Sequence, residues 1–152
     1  MILEIQKGEN NPILRKKSLP IKLACRRGRK VNDDIRELAK DMIKTINKSN
    51  GIGLSACQVG KNIQMFVIIK ELSKKQIFIN PEIIKTSKKS SIVEEGCLSV
   101  PGVYLPIKRA MSLKIKAFDE NNKQFKLKAM DLLAQAIQHE IDHLNGILIT
   151  DK

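Results

Sequence analysis

The segment QHEIDHLNG near the C-terminus contains both histidines of the 152-residue chain, His139 and His143, with Glu140 between them. On a helix, residues four apart lie on one face, so both imidazoles can bind one metal ion. Glu140 would flank that ion without binding it, which is where a general base acting on water should stand. The alternative is a helix with two polar histidines beside an apolar face, but the uncharged approach LLAQAIQ favours a buried metal site.

Two histidines cannot complete a metal site, so the third ligand decides the class of enzyme. Peptidases with this HExxH spacing usually take a Glu or His from after the motif, where Asp151 is the sole candidate. An upstream cysteine or carboxylate is the other choice, and Cys97 in VEEGCLSVPG stands out because Gly96 permits an unusual backbone turn. One cysteine and two histidines leave a tetrahedral ion with an open position, which indicates a catalytic site. For Cys97 alone, a small buried hydrophobic residue is the commoner outcome.

The segment GIGLSACQVG, residues 51–60, is too glycine-bounded for a helix interior and too apolar for a solvated loop. It is typical of backbone that lies close against another group. Gln58 within it has a side-chain amide that can donate a hydrogen bond to an oxyanion. By itself, the segment is more typical of a plain structural turn.

Two helices are predicted to position these residues. Apolar residues recur at three- and four-residue steps over residues 31–50, and this stripe predicts an amphipathic helix that Asn32 caps and Gly51 ends. The segment from Leu132 to Leu144 has too few polar residues for a surface helix, so it is predicted to be enclosed on most sides.

Strands are predicted at residues 63–70 and 76–80, which are short apolar runs rich in β-branched side chains. Residues 112–118 and 124–130 alternate apolar residues with lysine and predict a hairpin with one buried face. The basic stretch at residues 25–30 is expected to be a solvated loop. The order strand, helix, several strands and one interior helix predicts an α+β fold, with antiparallel sheets packed around the C-terminal helix that carries HExxH.

The composition predicts a single domain spanning residues 1–152, because a chain of this length is too short to divide. The sequence contains no apolar run of membrane-spanning length and no signal-peptide pattern, so we expect a cytoplasmic protein. Three unpaired cysteines also favour a reducing compartment. The net charge of +12 would attract polyanions such as RNA. Scattered lysines without stacking aromatic residues argue against specific nucleic-acid binding.

Together, GIGLSACQVG, EEGCLSVPG and QHEIDHLNG resemble the three signature motifs of the peptide deformylases, in the same order. The segments ILRKKSLPI and DMIKTI also look like that family, so the resemblance covers nearly the whole chain. It implies an enzyme that removes the formyl group from the initiator methionine of nascent polypeptides and releases formate. Transient association with the ribosome would follow from that substrate.

The resemblance also implies roles for individual residues. The family's metal ligands fall on Cys97, His139 and His143. Its catalytic groups fall on Glu140, on the oxyanion glutamine Gln58 and on the backbone N–H of Leu98. Its substrate contacts fall on Ile52 and Gly53 beside the peptide backbone, Gly96 across from them, and Ala136 near the methionine pocket. The implied cofactor is one divalent ion, Fe(II) or Zn(II), with nickel or cobalt as alternatives.

Two positions depart from the family pattern: Ser55 replaces the more usual Ala, and Cys57 occupies a variable position. A second thiol near the site could act as a fourth ligand or as an oxidation partner of Cys97. The sequence is also compatible with two other functions. One is a small metallopeptidase that cleaves unformylated peptide bonds, and the other is a basic RNA- or ribosome-associated module whose ion is structural and held by four protein ligands.

Overall fold

The computed structural model of the protein describes residues 1–23 and 31–152. The predicted loop at residues 25–30 lies outside the described residues. The helices of the described part are α1 (Pro12–Arg15), α2 (Asp33–Ser49), α3 (Asp131–Leu144) and two short 3-10 helices (Ala56–Val59 and Ile149–Asp151). Its strands are β1 (Gly53–Ser55), β2 (Met65–Ile68), β3 (Ile77–Thr86), β4 (Ser90–Cys97), β5 (Val100–Ala110), β6 (Ser112–Phe118) and β7 (Gln124–Met130). This architecture confirms the predicted α+β class.

Helix α2 confirms the prediction over residues 31–50. The Asn32 side chain caps its first turn by accepting a hydrogen bond from the Asp34 N–H at 2.8 Å. The predicted end at Gly51 is wrong by one residue, because Asn50 itself adopts the left-handed conformation, with φ of 55°. Asparagine tolerates this conformation better than most residues, and its N–H bonds to the carbonyl of Ile46.

Strands β1, β2, β3, β6 and β7 form one antiparallel sheet in that order. The β6–β7 hairpin has the predicted bounds, because strict alternation of apolar and polar residues specifies both its period and its buried face. Strand β3 was predicted to stop before Pro81 but continues to Thr86. A register irregularity between Ile79 and Glu82 accommodates the proline, and such bulges are where proline is tolerated within sheets.

Strands β4 and β5 form a separate two-stranded sheet that the sequence did not indicate. Prolines and a glycine interrupt the alternation in β5, so the pattern that identifies strands is weak there. The predicted N-terminal strand is wrong, since residues 1–23 contain helix α1 and an isolated bridge from Leu19 to Ile63.

Helix α3 is enclosed as predicted, and both sheets contact it. Its buried residues Ala134, Ala136 and Ile137 pack in one core cluster with the inward side chains of the five-stranded sheet. This burial holds the HExxH segment between the two sheets. Across the described part of the chain, every helix is too short or too polar to cross a membrane.

Candidate metal centre

The side chains of Cys97, His139 and His143 converge, as their predicted role requires. Their ligand atoms lie within 4.8 Å of one another. The Nε2 atoms of the two histidines are 3.1 Å apart, and the Cys97 sulfur is 3.3 Å from His143 Nε2. Helix α3 supplies both imidazoles from one face, and the end of β4 supplies the sulfur. Two nitrogens and one sulfur facing one point form a donor set that fits a divalent transition-metal ion.

A carboxylate orients the first histidine. His139 Nδ1 lies 2.5 Å from Glu95 Oε1, so Nε2 is directed towards Cys97. Burial alone would raise the pKa of Glu95, but its bonds to His139 and Arg109 outweigh burial and lower that pKa to about 2. A ligand histidine whose second nitrogen bonds a carboxylate is the usual arrangement at protein metal sites.

Arg109 connects Glu95 to helix α3. Its guanidinium donates two hydrogen bonds to Glu95, at 3.0 and 2.6 Å, and one to Asp142 at 2.6 Å. Arg109 and Glu95 are only 4% and 5% exposed, so each buried charge depends on its partner. Glu95, Arg109 and Asp142 were not anticipated from sequence. Glu95 had one usable signal, because it lies two residues before Cys97 and alternate strand residues share a face.

The surroundings of the two imidazoles shift their pKa values in opposite directions. Burial, followed by the neighbouring charge of His139, lowers the pKa of His143 well below its ordinary value, so this ring is neutral. Burial also opposes charge on His139, but hydrogen bonds to Cys97 and Glu95 outweigh it and raise the pKa of His139 to about 10. A metal ion would bind both rings in their neutral form, so it would replace a proton on His139.

Glu140 lies beside this cluster against strand β1. Its Oε2 accepts a hydrogen bond of 2.6 Å from the Ser55 hydroxyl, and its side chain is almost completely buried. Burial raises the pKa of Glu140. A Cβ atom at Gly53 would lie 2.5 Å from Glu140 Oε1, so a residue with a side chain at position 53 would displace the carboxylate. The expectation that residues 51–60 lie close against another group is met by this contact.

Gln58 is fixed next to Cys97 by the 3-10 helix Ala56–Val59. Its Oε1 accepts from the Ser55 N–H at 2.9 Å, and its Nε2 donates to the Ser99 hydroxyl at 3.1 Å. Nε2 also lies 3.8 Å from the Cys97 sulfur. These contacts orient the amide so that its donor end faces the cluster.

A cavity of ≈ 600 Å³ opens onto the cluster. Its walls include nine of the ten residues to which the family resemblance assigns a role: Ile52, Gly53, Gln58, Gly96, Cys97, Leu98, Ala136, His139 and Glu140. His143 is the exception and lies behind the wall, 1% exposed. Tyr104 and Gln135 also line the cavity. A Cβ at Gly96 would lie 2.7 Å from the Tyr104 ring, so this glycine allows the ring to pack on the β4 backbone.

Cys57 does not belong to the cluster. Its thiol is buried and donates to the His143 carbonyl at 3.6 Å, and burial raises the pKa of Cys57 to about 12. Asp151 is engaged elsewhere, by Arg15 at 2.5 Å. Within residues 1–23 and 31–152, the group that could hold a metal ion offers three ligand atoms, whereas a structural ion usually has four protein ligands. Cys25 lies outside the described residues.

This arrangement defines a class: an α+β fold with a Cys–His–His group that could hold a metal ion and a buried glutamate at the end of a cavity. A family model described as polypeptide deformylase matches residues 2–152. The chain belongs to the peptide deformylase family, whose enzymes remove N-formyl groups from nascent peptides.

Individual relatives agree with this family assignment. A peptide deformylase from Borreliella burgdorferi is 46% identical over 122 residues, which cover 80% of this chain and 74% of that protein. The crystal structure of peptide deformylase from Thermotoga maritima superimposes with a TM-score of 0.90 at 31% identity, covering 100% of this chain and 97% of that one. A peptide deformylase from Synechococcus elongatus, solved in complex with actinonin, gives 0.88 at 38% identity, with 98% and 77% covered.

Proposed function

We propose that this protein removes the formyl group from the N-terminal formyl-methionine of nascent polypeptides and releases formate. The observation that carries this proposal is the meeting of Cys97, His139 and His143 with Glu140 at the end of one cavity. The metal ligands would be those three residues, and the ion Fe(II) or Zn(II), with nickel or cobalt as alternatives. When bound, the ion polarises the formyl carbonyl and lowers the pKa of water.

Glu140 is proposed to move the proton. Its Oε2 is held by Ser55, which leaves Oε1 to accept a proton from the attacking water. The water oxygen bonds to the formyl carbon, the carbon–nitrogen bond breaks, and Glu140 returns the proton to the leaving amine. A buried carboxylate with a raised pKa is suited to exchanging protons near neutral pH.

Gln58 and Leu98 are proposed to stabilise the negative charge that grows on the formyl oxygen. The Gln58 amide is already oriented by Ser55 and Ser99, so little reorganisation is needed during reaction. Leu98 follows Cys97 directly along the chain and lines the same cavity, so its backbone N–H is the second proposed donor. Preorganised donors of this kind are usually among the largest contributions to catalysis of acyl transfer.

The peptide is proposed to bind beside strand β1. This strand pairs with β2 alone among the described strands, so it is an edge of the five-stranded sheet. An extended peptide can add to such an edge through backbone hydrogen bonds. Ile52 and Gly53 would lie beside the peptide, with Gly96 opposite and Ala136 near the methionine side chain. A cytoplasmic location with transient ribosome contact, and without membrane or sequence-specific nucleic-acid binding, fits this substrate.

The direct test is formate release from a formyl-Met-Ala-Ser peptide by protein purified without oxygen, with metal analysis on the same sample. We expect one equivalent of formate per free amine, and inhibition by actinonin. The unformylated peptide is the matched control. If the protein cleaves that control at its peptide bonds and releases no formate from the blocked peptide, it is a metallopeptidase and the proposal fails.

Replacing Glu95 with glutamine is expected to weaken metal binding by roughly 10- to 100-fold, because His139 loses the carboxylate that orients it. Glu94→Gln is the matched control, since Glu94 precedes Glu95 on the same strand but is exposed. Competition with a chromogenic chelator measures both affinities. Equal affinities for the two variants would contradict the orienting role of Glu95.

Replacing Ser55 with alanine is expected to lower kcat roughly five-fold, the equivalent of about 1 kcal/mol, with little change in KM. The hydroxyl holds Glu140 Oε2 but does not line the cavity, so its loss affects positioning of the carboxylate more than substrate affinity. Steady-state kinetics on the formylated peptide measures the two constants. A change confined to KM would argue against positioning.

A further inference from the structure

The outer face of the five-stranded sheet brings lysines directly opposite one another. Across the hairpin, Lys114 pairs with Lys128 and Lys116 pairs with Lys126. On the neighbouring strand, Lys85 is opposite Lys114. Like charges in directly opposed positions destabilise a sheet. These lysine pairs therefore lower the stability of the sheet, whereas acidic residues opposite the lysines would not. We call these five residues the lysine face.

Little in the fold neutralises this charge. Among the described residues, the lysine face makes one salt bridge, from Lys116 to Glu82 at 3.3 Å. The intervening residues Leu113, Ile115 and Ala129 are buried in the core cluster with α3. The lysines of β6 and β7 therefore extend from the side of the sheet that faces away from α3 and from the active-site cavity.

A groove of ≈ 510 Å³ adjoins the lysine face where β3 ends and β6 begins. Its lining includes three members of the lysine face, Lys85, Lys114 and Lys128, and three hydroxyl residues: Thr86, Ser87 and Ser112. Ammonium and hydroxyl groups are donors suited to phosphate oxygens. Leu113 is the single large apolar residue of the lining, so the groove lacks the apolar contacts that an inserted lipid chain would need.

We propose that the lysine face binds the phosphate backbone of RNA without reading its sequence. The lysines would neutralise phosphates along one strand, and the groove would hold one of them. Aromatic side chains for base stacking are absent from the face, so readout of bases is not part of the interaction. Because the face and the cavity lie on opposite sides of the β6–β7 hairpin, bound RNA leaves the cavity open. The role of this binding at an RNA-rich ribosome rests on the proposed function, whereas the binding itself does not.

The test is fluorescence anisotropy of a labelled single-stranded RNA of mixed sequence, titrated with the full chain at several salt concentrations. The variant Lys85→Gln/Lys114→Gln/Lys128→Gln removes three charges from the lysine face. The control Lys40→Gln/Lys44→Gln/Lys48→Gln removes three exposed lysines from α2 and gives the same net charge. Both variants should deformylate the short formylated peptide at the wild-type rate, which shows that the fold is intact.

We expect the lysine-face variant to bind RNA at least about ten-fold more weakly than the control variant, with the slope of log Kd against log salt reduced by about 2. A double-stranded RNA should compete with the single strand. Equal weakening of the two variants would overturn the proposal, because binding would then follow net charge alone. Absence of RNA binding by the wild type would also overturn the proposal. The proposal would fail as well if the lysine face were needed only for binding to phosphatidylcholine vesicles that contain phosphatidylserine. If the protein does not deformylate the peptide but still binds RNA through the lysine face, the proposed function is refuted and this inference stands.

Discussion

Replacing Glu140 with glutamine is expected to lower kcat by roughly 10²- to 10⁴-fold while leaving the metal content unchanged. Glutamine has the same shape, fills the same buried space against Gly53 and can accept the hydrogen bond from Ser55. It cannot take a proton from water or return one to the leaving amine. The measurement is formate release under saturating substrate, together with metal analysis of the purified variant.

The Glu94→Gln variant serves as the control for Glu140→Gln, because it makes the same chemical change at an exposed position. It should retain full turnover. Near-wild-type turnover of Glu140→Gln would remove Glu140 from the proton-transfer step. A simultaneous loss of metal would instead indicate that Glu140 supports the ion, and circular dichroism would separate that result from misfolding.

The second large effect is expected from Cys97→Ala, which should lose both bound metal and at least about 99% of activity. The sulfur is the sole candidate ligand from the two-stranded sheet, 3.3 Å from His143 Nε2. Its removal leaves two imidazoles, which cannot retain the ion at comparable affinity. Metal content per chain, measured after dialysis, is the primary readout, and formate release is the second.

Cys57→Ser is the matched thiol control for Cys97→Ala. Serine can replace the Cys57 thiol as a donor to the His143 carbonyl, so this variant should keep its ion and its activity. Full metal content in Cys97→Ala would remove Cys97 from the ligand set. Loss of metal from Cys57→Ser would favour the structural-ion alternative, in which a second thiol binds the metal.

The parts of the fold that were predictable are those in which a short repeat specifies both element and face. The β6–β7 hairpin and α2 have such a pattern and were correctly identified, whereas α3 was identified by its scarcity of polar residues. The β4–β5 sheet was missed because it is specified by pairing between strands, with Pro106 opposite Glu94 and Tyr104 opposite Gly96. Pairings of that kind leave little trace in a single strand's composition.

The candidate site divides in the same way. His139, Glu140 and His143 follow from spacing on one helix, and the structure places Cys97 beside them as the family resemblance implied. The bonds of Arg109 to Glu95 and Asp142 join residues 14 and 33 positions apart. Local spacing in the sequence does not predict such contacts. The contact of Ser55 with Glu140 spans 85 positions. The sequence therefore did not reveal the long-range polar contacts that buried residues make at the site.

The separate β4–β5 sheet has a consequence for local opening. An isolated pair of strands is marginally stable in water, and the bonds of this pair to α3 include those of Arg109 to Asp142, Glu95 to His139 and Ala110 with Gln138. We expect its amide hydrogens to exchange with solvent earlier than those of β6, as one cooperative unit. Each such opening would carry the sulfur of Cys97 away from the imidazoles, so we expect variants that open this pair more often to lose the ion faster.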